Sequence, residues 1–174
     1  MQRERSLIDL ATQAFSLSLE EFLRDCPYPV LLPEAVSRGA LQREGTGGGT
    51  QVHRVDIGES TIGLESAKAI LVRKDPNLGR SSKIQLGRTA ATDIRVVDHS
   101  VSRNHLYFRK VPGGDWLVSD QGSRNGTFIG GRRLLGRGEH SLRCGDTLQV
   151  GRIRLVFLTP AGLMREMLRE NAGS

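Results

Sequence analysis

Three short stretches of the sequence carry residue types that bind anions. They are Gly87-Arg88, residues 98–105 and residues 122–127. Arginine offers a planar fork of donors to a phosphate, serine adds a short hydroxyl donor, and asparagine can both donate to and accept from a peptide backbone. Each stretch lies between short apolar or β-branched runs, so we expect the three to form loops at one end of an all-β domain. A site of this composition suits phosphate.

The order and spacing of these stretches resemble the forkhead-associated (FHA) domain. The resemblance covers residues 68–158 and rests on Gly87-Arg88, Ser102 and His105 in the pattern S-x-x-H, Asn125-Gly126, Gly145-Asp146 and Gly151. It implies an antiparallel β-sandwich that binds phosphothreonine peptides. One departure is Gly130-Gly131, which stands where the family often has Asn-Gly.

The resemblance also implies a role for each ligand-binding residue. Arg88 and Ser102 would bind the phosphate. Arg103 and Arg124 would contact the phosphate or the peptide backbone, the alternative for each being a solvated surface charge. Asn125 would hydrogen-bond the main chain of the ligand beside the phosphothreonine and so set its register.

Three further residues would shape the site without contacting the phosphate. By the resemblance, His105 holds the binding loops together through hydrogen bonds. Gly87 lets Arg88 project from a tight loop, and Gly126 permits the turn after Asn125. We expect neither catalysis nor metal binding at His105, and no cofactor.

The composition fits one domain of ordinary size with an appendage. The chain has 174 residues, with 25 Lys and Arg against 19 Asp and Glu, and its formal net charge of +6 favours an acidic partner. The charge does not distinguish a nucleic acid from a phosphoprotein. Cys26 and Cys144 are far apart, which is typical of neither a disulfide framework nor a zinc site. The sequence has no apolar run long enough for a membrane and no leader-like start, so we expect a cytoplasmic protein.

The first part of the chain shows helical periodicity. Apolar residues recur at helical spacing over residues 6–26, and Ser18 and Glu21 form a capping box that predicts a second helix start. Residues 28–32 form a short apolar segment that packs on this domain or on a partner. The glycines of residues 45–49 predict a linker, and residues 51–65 predict a weak hairpin that turns at Gly58-Glu59.

Short apolar runs separated by turn residues predict the strands of the sandwich. They are residues 69–72, 83–86, 94–97, 106–108, 116–118, 127–129, 147–150 and 153–157. Phe108, Trp116, Phe128 and Phe157 lie on these runs, and we expect them in the core. Thr159-Pro160 predicts the start of a short closing helix. We therefore divide the chain into an N-terminal helical extension (1–44), a glycine-rich linker with the weak hairpin (45–65), the FHA domain (66–158) and a C-terminal helix and tail (159–174).

Two other classes of function have weaker support. A hydrolase triad could combine Ser102 and His105 with Asp98 or Asp120. However, a serine three residues from its histidine on one loop has little freedom to reach the imidazole, and the sequence has no nucleophile elbow. A nucleic-acid-binding role would use the surplus of arginine. However, no aromatic residues interleave those arginines, and the sequence has no helix-turn-helix or RNP motif.

The sequence thus predicts a non-catalytic adaptor in Ser/Thr kinase signalling. Its partner would be a threonine-phosphorylated protein, either a kinase or a kinase substrate. The alternative is a protein-interaction scaffold of the same fold that does not depend on phosphorylation. We also expect a chain that starts near Glu65 to keep its phosphopeptide affinity, because every matched residue lies beyond the predicted linker.

Overall fold

The strands of this chain arise from short β-branched and apolar runs that end at glycine, proline and asparagine turns. The structure is a computed structural model that describes residues 4–6, 9, 16–34, 54–57, 60–63 and 68–169. In these residues the strands form a seven-stranded sheet, a five-stranded sheet and a separate two-stranded hairpin. The predicted all-β sandwich is confirmed.

The seven-stranded sheet is antiparallel throughout. It comprises β1 (Glu4–Ser6), β2 (Val30–Pro33), β5 (Lys68–Leu71), β10 (Thr127–Ile129), β11 (Arg132–Arg133), β13 (Thr147–Val150) and β14 (Ile153–Leu158), in the spatial order β1-β5-β2-β14-β13-β10-β11. Strand β2 therefore lies between two partners, although it comes from the first part of the chain.

The five-stranded sheet contains one parallel pair. It comprises β6 (Ile84–Gly87), β7 (Ile94–Arg95), β8 (Leu106–Lys110), β9 (Trp116–Asp120) and β12 (His140–Leu142), in the order β12-β9-β8-β6-β7. Strands β6 and β7 run parallel, with Gly87 opposite Arg95. In the intervening loop, the Thr92 hydroxyl lies within hydrogen-bonding distance of the carbonyl oxygens of Thr89 at 2.8 Å and Ile94 at 3.0 Å. The predicted antiparallel arrangement holds for the other pairs of this sheet.

The predicted hairpin is present as β3 (Arg54–Ile57) and β4 (Ser60–Gly63), with Ile57 opposite Ser60. Its turn at Gly58-Glu59 lies outside the described residues, as does the predicted linker at residues 45–49.

The main core lies between the two larger sheets. Phe108 and Phe157 are fully buried, and the Trp116 ring lies 6.0 Å from that of Phe157 between centroids. Phe128, in contrast, is only half-buried. The side chains of a strand alternate between its faces, and Thr127, which is fully buried, takes the inner position next to it. The prediction that Phe128 is a core residue was therefore wrong.

A second apolar cluster lies beneath two helices. Helix α1 (Leu19–Asp25) begins after Ser18, whose hydroxyl accepts from the Glu21 amide at 3.4 Å while the Glu21 carboxylate accepts from the Ser18 amide at 2.9 Å, so the predicted capping box is confirmed. Helix α2 (Pro160–Arg169) packs against α1. Their buried residues join those of the larger sheet, and the cluster comprises Phe22, Cys26, Val30, Leu32, Ala69, Leu71, Val156, Leu158, Leu163, Met164 and Met167.

The N-terminal segment is thus part of the sandwich at β2. Val30 and Leu31 are fully buried, and the strand pairs with both β14 and β5. The apolar segment around residues 28–32 therefore packs on this domain. Ser6 belongs to β1 and not to a helix, while residues 7–8 and 10–15 of the predicted first helix lie outside the described residues. The domain boundaries remain a prediction.

Neither cysteine forms a disulfide: Cys26 is buried and Cys144 is exposed. Within the described part of the chain, no helix has both the length and the apolar character needed to cross a membrane. The same residues contain no group of three or more His, Cys, Asp or Glu side chains placed to hold a metal ion.

Candidate functional site

Loops from both sheets meet around an open cavity at one end of the sandwich. Its volume is about 440 Å³, and it is lined by Arg88, His99, Ser100, Val101, Ser102, Arg103, Asn104, Gly122, Arg124 and Asn125. All five residues predicted to contact a ligand are in this set, from three stretches that lie far apart in the sequence. The three arginines among them are exposed, so their guanidinium groups are accessible from solvent.

Gly87 brings Arg88 against the Ser102 loop. A Cβ atom at Gly87 would lie 2.2 Å from the Arg103 carbonyl oxygen, so only glycine permits this approach of two backbones. The Arg88 amide donates to the Ser102 carbonyl at 3.1 Å, and the His105 amide donates to the Leu86 carbonyl at 2.9 Å. Arg88 is therefore fixed at its backbone while its side chain stays in solvent.

Ser102 joins two of the loops through its hydroxyl oxygen. That oxygen accepts a hydrogen bond from the Arg124 amide at 3.0 Å. Because the oxygen acts as an acceptor here, the hydroxyl hydrogen can be donated to a ligand oxygen. The Ser102 side chain is half-buried at the cavity wall, where such a ligand would lie.

His105 lies behind the cavity and is fully buried. Its Nδ1 accepts from the Ser102 amide at 3.0 Å, so the ring proton is on Nε2, which donates to the Gly126 carbonyl at 3.2 Å. Burial holds the pKa of His105 below its ordinary value, against the opposing effects of the Gly126 carbonyl and the Asp120 charge. A neutral imidazole thus ties the loop before β8 to the loop after β9.

This geometry leaves no triad. Both ring nitrogens of His105 are engaged with backbone groups, and the Ser102 contact to the ring comes from the amide and not from the hydroxyl. A general base must reach the proton that it removes. His105 does not reach the Ser102 hydroxyl, so the hydrolase interpretation has no structural support.

Asp120 stabilises the loop after β9 from within. Its Oδ1 accepts from the amides of Gly122 and Ser123, both at 2.8 Å, and its Oδ2 accepts from the hydroxyls of Ser123 at 2.5 Å and Thr127 at 2.6 Å. Burial alone would raise the pKa of Asp120, but these hydrogen bonds outweigh it and lower the pKa. Asp120 therefore acts as a loop-stabilising acid.

Gly126 completes that loop with a left-handed backbone conformation, φ +82°. A Cβ atom there would lie 2.7 Å from Nε of Arg133, whose side chain extends across the loop. The Gly126 carbonyl accepts a hydrogen bond from the Gly151 amide at 3.3 Å, in addition to the one from His105. A side chain at this position would therefore strain the backbone and displace Arg133.

Ser100 connects the loops but was missed by sequence reasoning. Its hydroxyl donates to Asp98 Oδ1 at 2.5 Å and accepts from the Arg152 amide at 2.9 Å. The hydrogen bond from Ser100 is the main cause that lowers the pKa of Asp98. The spacing of Asp98 and Ser100 indicates a local turn. No sequence signal reveals the partner at Arg152, which lies far along the chain.

Asn125 is also held by Ser100. Its Nδ2 donates to the Ser100 carbonyl at 2.8 Å. The resemblance assigns the Asn125 amide to the ligand main chain, and both the second hydrogen on Nδ2 and the amide oxygen remain available for that role. The side chain lies at the cavity wall in a fixed orientation.

Comparison with known proteins agrees with the resemblance seen in the sequence. A sequence model of the FHA domain matches residues 84–151. The chain is 39% identical over 103 residues to the glycogen accumulation regulator GarA of Mycolicibacterium smegmatis, covering 56% of this chain and 63% of that protein. It is 33% identical over 138 residues to the oxoglutarate dehydrogenase inhibitor of Corynebacterium efficiens, covering 76% of this chain and 92% of that protein.

A solved structure from a study of phosphothreonine-dependent FHA domain interactions is also similar. It superposes with a TM-score of 0.45 at 26% identity, covering 54% of this chain and 86% of that chain.

Proposed function

Because this chain belongs to the family of FHA-domain proteins, we propose that it is a non-catalytic, phosphothreonine-dependent adaptor in Ser/Thr kinase signalling. Its partner is a threonine-phosphorylated protein, either a kinase or a kinase substrate. Two relatives are named as a regulator and as an inhibitor, which supports a non-catalytic role. A cytoplasmic location belongs to the same proposal.

The observation that carries the proposal is the cavity that gathers Arg88, Arg103 and Arg124 around the Ser102 hydroxyl. A phosphothreonine carries about two negative charges at neutral pH and three acceptor oxygens. Arginine forks and a hydroxyl supply charge-assisted hydrogen bonds to those oxygens. Asn125 then binds the adjacent main chain, so that the peptide is held in one register.

The preformed loops explain how such a site can be strong. His105, Asp120 and Ser100 are buried and hydrogen-bonded, and they fix the loops before any ligand arrives. A ligand then need not order these loops, and less conformational entropy is lost on binding. Only the exposed arginine side chains then have to become ordered on the phosphate.

Calorimetric titration of the full chain with matched peptides tests the proposal. Peptides that carry threonine, phosphothreonine or glutamate at one position separate a phosphate requirement from a general preference for acid. We expect binding of the phosphothreonine peptides alone. Equal binding of the unphosphorylated forms would overturn the proposal and favour a scaffold that does not depend on phosphorylation.

A further inference from the structure

A second cavity lies beside the first and shares part of its wall. Its volume is about 370 Å³, and Arg88, His99 and Arg103 line both cavities. Arg95 and Val97 line the second cavity only. Neither residue has a part in the proposed phosphothreonine site, so this cavity has no assigned role.

Arg95 is held in place at the edge of the five-stranded sheet. It lies opposite Gly87 in the parallel pairing of β6 and β7, and its Nε donates to the Arg88 carbonyl at 3.4 Å. The side chain is nevertheless exposed. Its guanidinium group is therefore anchored at one nitrogen beside Arg88, with further donors directed to solvent.

The charge of this cavity favours an anion. Three arginines line it against one carboxylate, that of Asp98. Asp98 Oδ1 already accepts from the amide of Ser100 at 2.7 Å and from its hydroxyl at 2.5 Å, so part of its charge is compensated within the protein. Arg95 has no such local carboxylate among its described hydrogen bonds, and its charge is available to a ligand.

The cavity also offers an apolar wall. Val97 is 76% exposed, so its apolar side chain is open to a ligand. The aliphatic part of a ligand side chain can cover this surface while its charged end reaches Arg95. An acidic side chain of a peptide fits this combination better than a free inorganic anion.

We infer that the second cavity binds another anionic side chain, a carboxylate or a second phosphate, of the same peptide that presents its phosphothreonine to the first cavity. The inference rests on the proposed function, because Arg88 and Arg103 face both cavities and would lie between the two anions. Arg124 and Asn125 line only the first cavity. The second anion therefore lies on the side of the phosphothreonine away from Asn125.

The test uses one phosphothreonine peptide with alanine at all flanking positions as the reference. In separate peptides, aspartate replaces alanine at one flanking position at a time, and a further peptide carries a second phosphothreonine at the position that responds best. The quantity measured is the ratio of the reference Kd to the Kd of each variant peptide. A general loss of affinity in a mutant protein cancels in this ratio.

For the wild-type chain, we expect a ratio of about five for aspartate at one or two adjacent positions on one side only, as for a partly exposed ion pair. A larger ratio for the second phosphate identifies phosphate as the preferred source, whereas equal ratios mean that a carboxylate suffices. In Arg95→Gln, which keeps a donor for the Arg88 carbonyl, the ratio should fall to about one. Arg165→Gln, an exposed arginine on α2, is the matched control and should keep the wild-type ratio.

The outcomes separate this inference from the proposed function. If the reference peptide binds but no flanking acid raises the affinity, or if Arg95→Gln keeps the full ratio, the second cavity is not an anion subsite. If the reference peptide itself fails to bind while its phosphothreonine is intact, the proposed function fails and takes the inference with it. The salt dependence of the ratio is a second readout that needs no mutant, because the ion pair with Arg95 should weaken as salt is added.

Discussion

The cavity end of the sandwich and the face covered by the helices are stabilised by opposite kinds of interaction. Around the cavity, buried polar groups such as His105, Asp120 and Thr127 hold the loops from which the exposed arginines project. Beneath α1 and α2, apolar side chains such as Phe22 pack on the outer face of the larger sheet. Substitution of an exposed arginine should therefore leave the fold intact, whereas substitution of a buried apolar residue beneath the helices should weaken it.

The N-terminal segment contributes a strand to the larger sheet. The linker and the motifs predicted a dispensable extension, yet β2 lies between β14 and β5 within the larger sheet. Removing this strand would leave two unpaired sheet edges and an exposed apolar face. This packing argues against the expectation that a chain starting near Glu65 keeps its affinity.

Deletion of everything before Glu65 should therefore have the largest effect. Three consecutive buried residues of β2 leave with it, Val30, Leu31 and Leu32, each contributing about 1.5–3 kcal/mol by burial. The loss approaches the total stability of a domain, about 5–15 kcal/mol. Thermal unfolding followed by circular dichroism should show no cooperative transition. A cooperative transition together with full phosphopeptide affinity would restore the original division of the chain.

Phe22→Ala should weaken the helix-covered face alone. The side chain is fully buried in the second cluster, so the free energy of unfolding should fall by about 3–5 kcal/mol. Phosphopeptide affinity, measured where the variant is still folded, should not change. Leu19→Ala on the same helix is the control, since Leu19 is 48% exposed and its loss should cost little. Reduced affinity in folded Phe22→Ala would couple the two regions.

The contribution of the cavity end to the stability of the fold should depend on pH through His105. Burial holds the pKa of His105 below its ordinary value of about 6.5, so below that pH the unfolded chain takes up a proton more readily than the folded one. The His105 contribution to stability is present above about pH 6.5 and is lost as the pH falls toward the lowered pKa. Urea unfolding should give a lower free energy of unfolding at pH 5.5 than at pH 7.5, and an NMR titration of the imidazole measures the pKa of His105. An imidazole that titrates above its ordinary pKa would contradict the neutral, buried ring.

The smallest expected effect concerns the methyl group of the phosphothreonine. The family resemblance implies an apolar contact that phosphoserine cannot make, and Val101 lines the cavity. Burying one methyl group is worth about 0.8 kcal/mol, or about fourfold in affinity. Paired phosphothreonine and phosphoserine peptides would show a preference well above fourfold only if the methyl group also orients the phosphate. Equal Kd values would remove this contact from the site.

Local patterns predicted much of this molecule, and long-range contacts account for what they missed. Alternation and turn residues located most strands of the two larger sheets but not β1, β2, β11 and β12, and the capping box at Ser18 located α1. The parallel pairing of β7, the role of Ser100 and the insertion of β2 depend on partners far along the chain, such as Arg152 for Ser100. The second cavity was missed for the same reason, because the sequence does not show that Arg95 lies beside Arg88.

The central claim is that Arg88 binds phosphate without supporting the fold. The most direct measurement titrates wild type and Arg88→Ala with one phosphothreonine peptide and unfolds both proteins in urea. Losing a charged hydrogen-bond partner of a bound phosphate costs about 2–5 kcal/mol, so affinity should fall more than tenfold. The midpoint of unfolding should stay unchanged, since Arg88 is exposed and its backbone contacts remain. Unchanged affinity in a folded Arg88→Ala would contradict the account.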